Sequence, residues 1–265
     1  MYRSFHGLAR YPFDKDLPRA DFFPSAGGAE FAARLNYLIT LRGIGLFTGE
    51  VGSGKTSIAR SVVDGLHQGL YRTFYVPLTT GNVTDLYKTI AWEMGLPTER
   101  SLAALFRAIR LEVMRLGLEA KITPVLIIDE AQYLRNEVLE NLRLLTNYDM
   151  DSQNRLCLVL IGQAELRRRL AMAVHEPFAQ RIVVRYHLAA LARDELEAYL
   201  AHRLKLAGAA NQLFAPDALE AIFQATNALP RKVNLLAHQA LNVAFAKQER
   251  IVTAEHLRLA AQDGI

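Results

Sequence analysis

The stretch "GEVGSGKTS", residues 49 to 57, constrains this chain more than any other nine residues in it. Gly49, Gly52, Gly54, Lys55 and Thr56 match G-x-x-x-x-G-K-[ST]. Small residues let such a backbone curl until its N–H groups point inward at phosphate. A helix opening directly afterwards adds its positive end. The motif occurs by chance in glycine turns, so its context decides. Upstream, "GIGLFT" (43–48) reads as a short buried strand. Downstream, residues 56–68 read as a helix. Strand, glycine loop and helix in that order are the setting the motif requires. Lys55 is expected to place a point charge on the β- and γ-phosphates, and the Thr56 hydroxyl to bind magnesium. Glu50, Val51, Ser53 and Ser57 fill out the expected nucleotide-binding stretch.

The rest of the first 190 residues repeats the alternation. "YRTFYVPL", "TPVLIIDEAQ", "LCLVLIG" and "RIVVRYHL" are apolar runs of strand length. Between them lie helical stretches: "VTDLYKTIAWEM", "LAALFRAIRLEVMRL" and the segment marked by Val138, Leu142 and Leu145. Ahead of the loop, Phe31, Leu35 and Leu38 recur at helical spacing. Buried strands alternating with helices predict a five-stranded parallel sheet covered on both faces. After about residue 190 only helices are expected. Leu196, Leu200, Leu204 and Ala207 form a stripe closed by Gly208, Pro216 suits a first helical turn, and Val233, Leu236, Ala240 and Ala244 form another stripe. The predicted division is therefore a nucleotide-binding domain over 1–190 and a small helical lid over 191–265.

A magnesium site next to a phosphate loop needs an acid at the end of a neighbouring strand. "VLIIDE" supplies Asp129 for the metal and Glu130 as general base toward the attacking water. The alternative is that the two acids simply cap a strand and begin a helix; beside an upstream phosphate loop, finding both argues for hydrolysis rather than passive nucleotide binding. Of 265 residues, 51% are hydrophobic and 22% charged, a globular balance. The formal net charge is +4, which permits an acidic partner such as DNA without requiring one. The one cysteine, Cys157, lies in an apolar run and reads as a buried small hydrophobe. The seven histidines are scattered without ligand spacing, so no zinc site is expected. Ser57 and Ser61 read as helix surface and Trp92 as helix core. No stretch approaches the roughly 18 apolar residues of a membrane span and no signal peptide opens the chain, so a cytoplasmic protein without membrane contact is expected.

The order of these motifs resembles the AAA+ ATPases over nearly the whole chain. That resemblance implies a P-loop core with a C-terminal helical lid, ATP and Mg2+ as cofactors, and ATP hydrolysis. It also implies three further residues. Gln163, in "LVLIGQAEL", stands where the family has a polar sensor of the γ-phosphate, more often Asn, Ser or Thr; it is also a candidate helix-start residue. Arg181, before "IVVRYHL", stands where the family has an arginine finger that completes a neighbouring subunit's site, with Arg185 the weaker candidate. The run Arg167–Arg169 reads as a solvated face, a DNA contact or a subunit contact. Arg231, in "NALPRKVN", matches the second sensor of the lid, against the alternative of a surface residue at a proline-started helix.

"FHGLARYPFDKD", "IIDEAQYL", "LVLIGQAEL" and "LPRKVN" further resemble one bacterial subgroup. It contains the ATPase module of general secretion pathway protein A and the ATP-dependent regulators of transposition. Pro12 and Phe13 would then lie near adenine, or else anchor the N-terminus in the core. The chain's end at Ile265 favours the transposition regulators. This implies homo-oligomers, as ring or filament, on double-stranded DNA that recruit a transposase or integrase. Thr80, Asn82 and Lys88 are then candidate DNA contacts. Asn82 reads equally as a helix-start residue and Lys88 as a solvated charge. A secretion or envelope-assembly ATPase acting on protein partners is the alternative, and a nucleotide switch without turnover is a third.

Overall fold

A computed structural model describes residues 2–15, 17–77 and 82–262. In chain order its elements are α1 (Tyr2–Phe5), α2 (Ala26–Leu41), β1 (Ile44–Gly49), α3 (Lys55–Val63), β2 (Tyr71–Val76), α4 (Val83–Glu93), α5 (Leu102–Met114) and β3 (Thr123–Ile128). They continue as α6 (Asn136–Leu145), β4 (Cys157–Gly162), α7 (Ala164–Leu170), α8 (Glu176–Ala179), β5 (Ile182–Leu188), α9 (Arg193–Leu206), α10 (Pro216–Thr226), α11 (Pro230–Ala246) and α12 (Ala254–Gln262). Contacts group the chain into a sheet unit (29–51 and 55–188) and a helical unit (1–28, 52–54 and 189–265).

In the sheet unit the strand order is β2-β3-β4-β1-β5, and every pair is parallel. The three central strands are buried along their whole length. The edge strands β2 and β5 alternate between buried and exposed positions, which a strand paired on one side permits. The period of two splits the strand side chains between two cores. Leu46, Phe74, Leu126, Ile128, Leu158 and Leu160 pack with α4, α5 and α6. Phe47, Val125, Ile127, Val159, Ile161 and Val184 pack with α2 and α3. Each fully buried aliphatic of this kind stabilises the fold by roughly 1.5–3 kcal/mol. Cys157 belongs to the second core, and burial pushes its thiol up to about 12.

The expected core position of Trp92 is overturned. Val83, Leu86, Tyr87, Ile90 and Ala91 form the inward stripe of α4, and Trp92 falls on its outer side with 76% of its surface exposed. The position one residue past Ala91 lies about 100° round the helix, away from that stripe.

The helical unit has a core of its own. Leu196, Leu200, Leu204 and Ala207 of the α9 stripe meet Val233, Leu236, Ala240 and Ala244 of α11. Tyr2, Leu8 and Phe13 join the same cluster. Pro216 and Pro230 each open a helix, at positions where the missing N–H has no intrahelical partner to lose. Phe13 is 8% exposed, with its ring centroid 6.5 Å from that of Phe214. Arg203 holds the segment before it: Nε donates to the Pro12 carbonyl at 2.8 Å and Nη2 to the Asp14 carbonyl at 2.6 Å.

Candidate nucleotide site

Parallel strands place their carboxyl ends together, and loops leaving those ends form the crevice where α/β proteins bind ligands. Gly49 closes β1, Asp129 follows β3 and Gln163 follows β4. In the loop after β1, Gly52 and Gly54 take φ values of +83° and +100°, which side chains with a Cβ rarely adopt. Lys55 opens α3 and is 9% exposed. Its ammonium donates to the carbonyls of Gly49 at 2.9 Å and Glu50 at 2.7 Å, so the charge is held at the mouth of the loop.

Asp129 is 5% exposed and accepts three hydrogen bonds. Thr56 Oγ1 donates to its Oδ2 at 2.7 Å, and the Tyr75 hydroxyl donates to the same oxygen at 2.9 Å. The Glu130 N–H donates to Oδ1 at 2.8 Å. Burial, followed by the charge of Asp129, pushes the Tyr75 phenol well above its ordinary range, so it stays a donor. With its proton committed to Asp129, the Thr56 hydroxyl keeps lone pairs for a cation. A hydroxyl and a carboxylate, both oxygen, suit a hard cation that retains its waters and takes phosphate oxygens, as Mg2+ does. The donor set therefore fits magnesium. Among the described residues no group of three or more His, Cys, Asp or Glu side chains is placed to hold a metal ion.

Glu130 has φ 51° and ψ 35°, the left-handed region, at a cost of roughly 1–2 kcal/mol for a residue with a Cβ. The turn lets the chain double back, so that Gln132 Nε2 donates to Glu130 Oε2 at 2.6 Å. Gln132 Oε1 in turn accepts the Gln163 N–H at 3.1 Å. Thr56 and Asp129 are thus in direct contact, and Glu130 and Gln163 are joined through Gln132. Gln163 stands at the N-cap of α7, yet its side chain makes no capping bond.

Two members of this group, Tyr75 and Gln132, were not picked out from the sequence, and a third, Arg169, was read only as part of the run Arg167–Arg169. Tyr75 reaches Asp129 because β2 pairs beside β3, with Tyr75 level with Ile127. Of the readings open to that run (solvated face, DNA contact or subunit contact), the solvated face does not hold for Arg169. Arg167 and Arg168 are exposed, but Arg169 is half-buried, with Nη1 donating to the Gln132 carbonyl at 3.0 Å and Nη2 to that of Leu134 at 2.7 Å. Burial holds its guanidinium below the usual arginine range.

Arg181 sits immediately before β5, its N–H bonded to the Phe178 carbonyl at 3.1 Å. Arg185 lies within β5, and its Nη2 donates to the Ala179 carbonyl. On β1, Thr48 Oγ1 and His187 Nδ1 lie 3.0 Å apart. Burial, with Arg167 and Lys55 nearby and Glu50 opposing, holds the His187 imidazole below the usual histidine range.

Within the helical unit, Arg231 is the second residue of α11, and its N–H donates to the Gly52 carbonyl at 3.2 Å. A Cβ on Gly52 would stand 2.5 Å from that of Arg231, so glycine is required there. Asn82 caps α4, its side chain accepting the Asp85 N–H at 2.8 Å. Lys88 is half-buried on the same helix, and Thr80 lies outside the described residues.

The sequence matches the AAA domain family over residues 39–170, a span that includes the loop, Asp129, Glu130 and Gln163. It is 36% identical over 266 residues to general secretion pathway protein A of Aeromonas hydrophila, covering 99% of this chain and 48% of that protein. The chain thus spans about half the length of this curated relative. Among solved structures, Cdc6p of Pyrobaculum aerophilum superposes with a TM-score of 0.70 at 18% identity, over 98% of this chain and 70% of that one. Aeropyrum pernix ORC2, solved as ADPNP-ADP complexes, gives 0.67 at 21% identity, over 97% and 72%. Aeropyrum pernix ORC1 in complex with DNA gives 0.63 at 19% identity, over 95% and 66%. These likenesses agree with the five-stranded parallel sheet and the phosphate loop that opens after β1. Residues 39–170 are an AAA domain, and the fold of the chain is that of the AAA+ P-loop ATPases.

Proposed function

We propose that the chain is the ATP-hydrolysing module of an assembly that acts on protein partners, of the secretion or envelope-assembly kind. The observation that carries the hydrolytic part is the bonded line from Thr56 through Asp129 to Glu130, with the Thr56 hydroxyl 2.7 Å from the Asp129 carboxylate. Lys55 exchanges its carbonyl partners for the β- and γ-phosphate oxygens. Thr56 and Asp129 would hold the divalent cation. When bound, that cation withdraws charge from the phosphate oxygens. Glu130 takes a proton from the attacking water as the new bond to the γ-phosphorus forms. The bridging P–O bond breaks and leaves its electron pair on ADP. Gln163 and Arg231 report the γ-phosphate, and Arg181 completes the site of a neighbouring copy, which makes the working form a homo-oligomer.

The 36% identity to general secretion pathway protein A, along nearly all of this chain, supports the choice of protein partners. A second reading is an ATPase that assembles on duplex DNA and regulates transposition through a transposase or integrase. The +4 charge and a fold shared with a DNA-bound ORC1 favour it. ATPase rates with and without duplex DNA, with sedimentation of the same samples, separate the two. Rates and particle size indifferent to DNA keep the protein-partner reading. DNA-stimulated hydrolysis with large ATP-dependent particles transfers the assignment to the second. Glu130→Gln tests turnover itself: loss of hydrolysis with retained ATP binding is expected, and an unchanged rate removes the base.

A further inference from the structure

Gln132 is 8% exposed. An amide so far from water needs its donors and acceptor met inside the protein. Its Nε2 donates to Glu130 Oε2 and its Oε1 accepts the Gln163 N–H, at 2.6 and 3.1 Å. A carboxylate oxygen only accepts and a backbone N–H only donates, so a flipped amide would lose both bonds. The main chain of the same residue is fixed as well. Arg169 forks between the carbonyls of Gln132 and Leu134. Space is limited on the β4 side: a Cβ on Gly162 would stand 3.0 Å from Gln132 Oε1. The turn carrying Glu130 is therefore pinned to α7 at both ends of that helix, by the N–H of its N-cap and by an arginine of its last turn.

We propose that Gln132 is the positioning residue of the catalytic base. It holds Glu130 Oε2 so that Oε1 faces the attacking water, while Arg169 keeps Gln132 in place. This rests on the reading of Glu130 as base. The Glu130 side chain is exposed, and an unrestrained glutamate spreads over several rotamers, few of them within reach of the water. Misplacement of a reacting group by about 1 Å costs on the order of 10²-fold in rate. Gln132 acts through Glu130 and touches no substrate, so its removal lowers kcat and leaves nucleotide binding intact.

The test is steady-state ATPase activity of the full chain, with titration of a fluorescent ATP analogue on the same preparations. Gln132→Ala should lower kcat about 30- to 100-fold, with KM and analogue affinity within about threefold of the parent. Gln132→Glu preserves shape and sets carboxylate against carboxylate, so it should lose at least as much; it carries the test if the alanine variant does not fold. Arg169→Lys loses the planar guanidinium fork that spans the Gln132 and Leu134 carbonyls and should lose about three- to tenfold. In single-turnover assays, Gln132→Ala placed on Glu130→Gln should cost nothing further, because the residue it positions is gone. A general packing role predicts instead that the losses multiply and that affinity falls with kcat. Parent-like kcat in both Gln132 variants, or multiplying losses, overturns the proposal. Glu130→Gln with the parent rate would remove the base reading and this inference together. An inactive Glu130→Gln beside an active Gln132→Ala removes this inference alone.

Discussion

The two units handle buried polar side chains in different ways. In the sheet unit, Lys55, Asp129 and Gln132 gather just past the carboxyl ends of β1 and β3. Asp129 and Gln132 are satisfied partly by other functional side chains: Thr56, Tyr75 and Glu130. In the helical unit the buried polar residues are dispersed, and backbone supplies most of their partners. Arg203 binds the carbonyls of Pro12 and Asp14. Thr226 donates to the Ile222 carbonyl at 2.7 Å and accepts from the Ala228 N–H at 3.2 Å. The Thr253 N–H donates to His256 Nδ1 at 3.0 Å. A polar group satisfied by backbone inside one unit secures a chain path. A polar group satisfied by another polar side chain at a strand end is open to exchange with a ligand. Lys55 shows how the two merge, since the carbonyls that hold it are replaceable by phosphate oxygens.

Four substitutions would break or sharpen that contrast. Glu130→Gln should lower kcat by about 10³-fold, within the 10²- to 10⁴-fold range of general base catalysis, without lowering the melting temperature. Phosphate-release kinetics and thermal melts on one preparation check both halves. Arg203→Ala should do the reverse. It leaves the Pro12 and Asp14 carbonyls unpaired and should cost about 2–4 kcal/mol, read as a lower melting temperature and faster proteolysis near residues 12–14. Its effect on kcat per folded molecule should be small. Tyr75→Phe removes one of three donors to Asp129 and sits between these cases, with about 1 kcal/mol lost in a denaturant titration and a few-fold fall in kcat/KM. Trp92→Ser should change stability by less than about 0.5 kcal/mol, because α4 buries its other face. A larger loss in a urea titration would return Trp92 to the core.

What could be read from the sequence was local. Every strand and the long helices follow from runs and periods within one segment, and the phosphate loop and the Asp129–Glu130 pair are contiguous motifs. Tyr75 was invisible because its role depends on β2 lying beside β3, a pairing that nothing in "YRTFYVPL" specifies. Gln132 followed the motif by two residues and acquired its role from the left-handed turn at Glu130, which no residue type announces. Arg169 sat in a run of three arginines whose members differ only by their place around α7. Trp92 is a different case. The stripe of α4 was readable, and continuing it past Ala91 would have placed the tryptophan outside.

The strand order has a consequence for how the chain is made. β1 lies between β4 and β5, so the strand that launches the phosphate loop finds its partners only once residues beginning at Cys157 and Ile182 have been synthesised. Until then a strand that the fold buries along its whole length has no ladder on either side. Contacts so distant along the chain slow folding and leave such an edge open to self-association. The nucleotide loop is therefore among the last parts of the sheet unit to acquire its shape. Ribosome-bound chains halted before β4 should have the motif and yet fail to hold ATP.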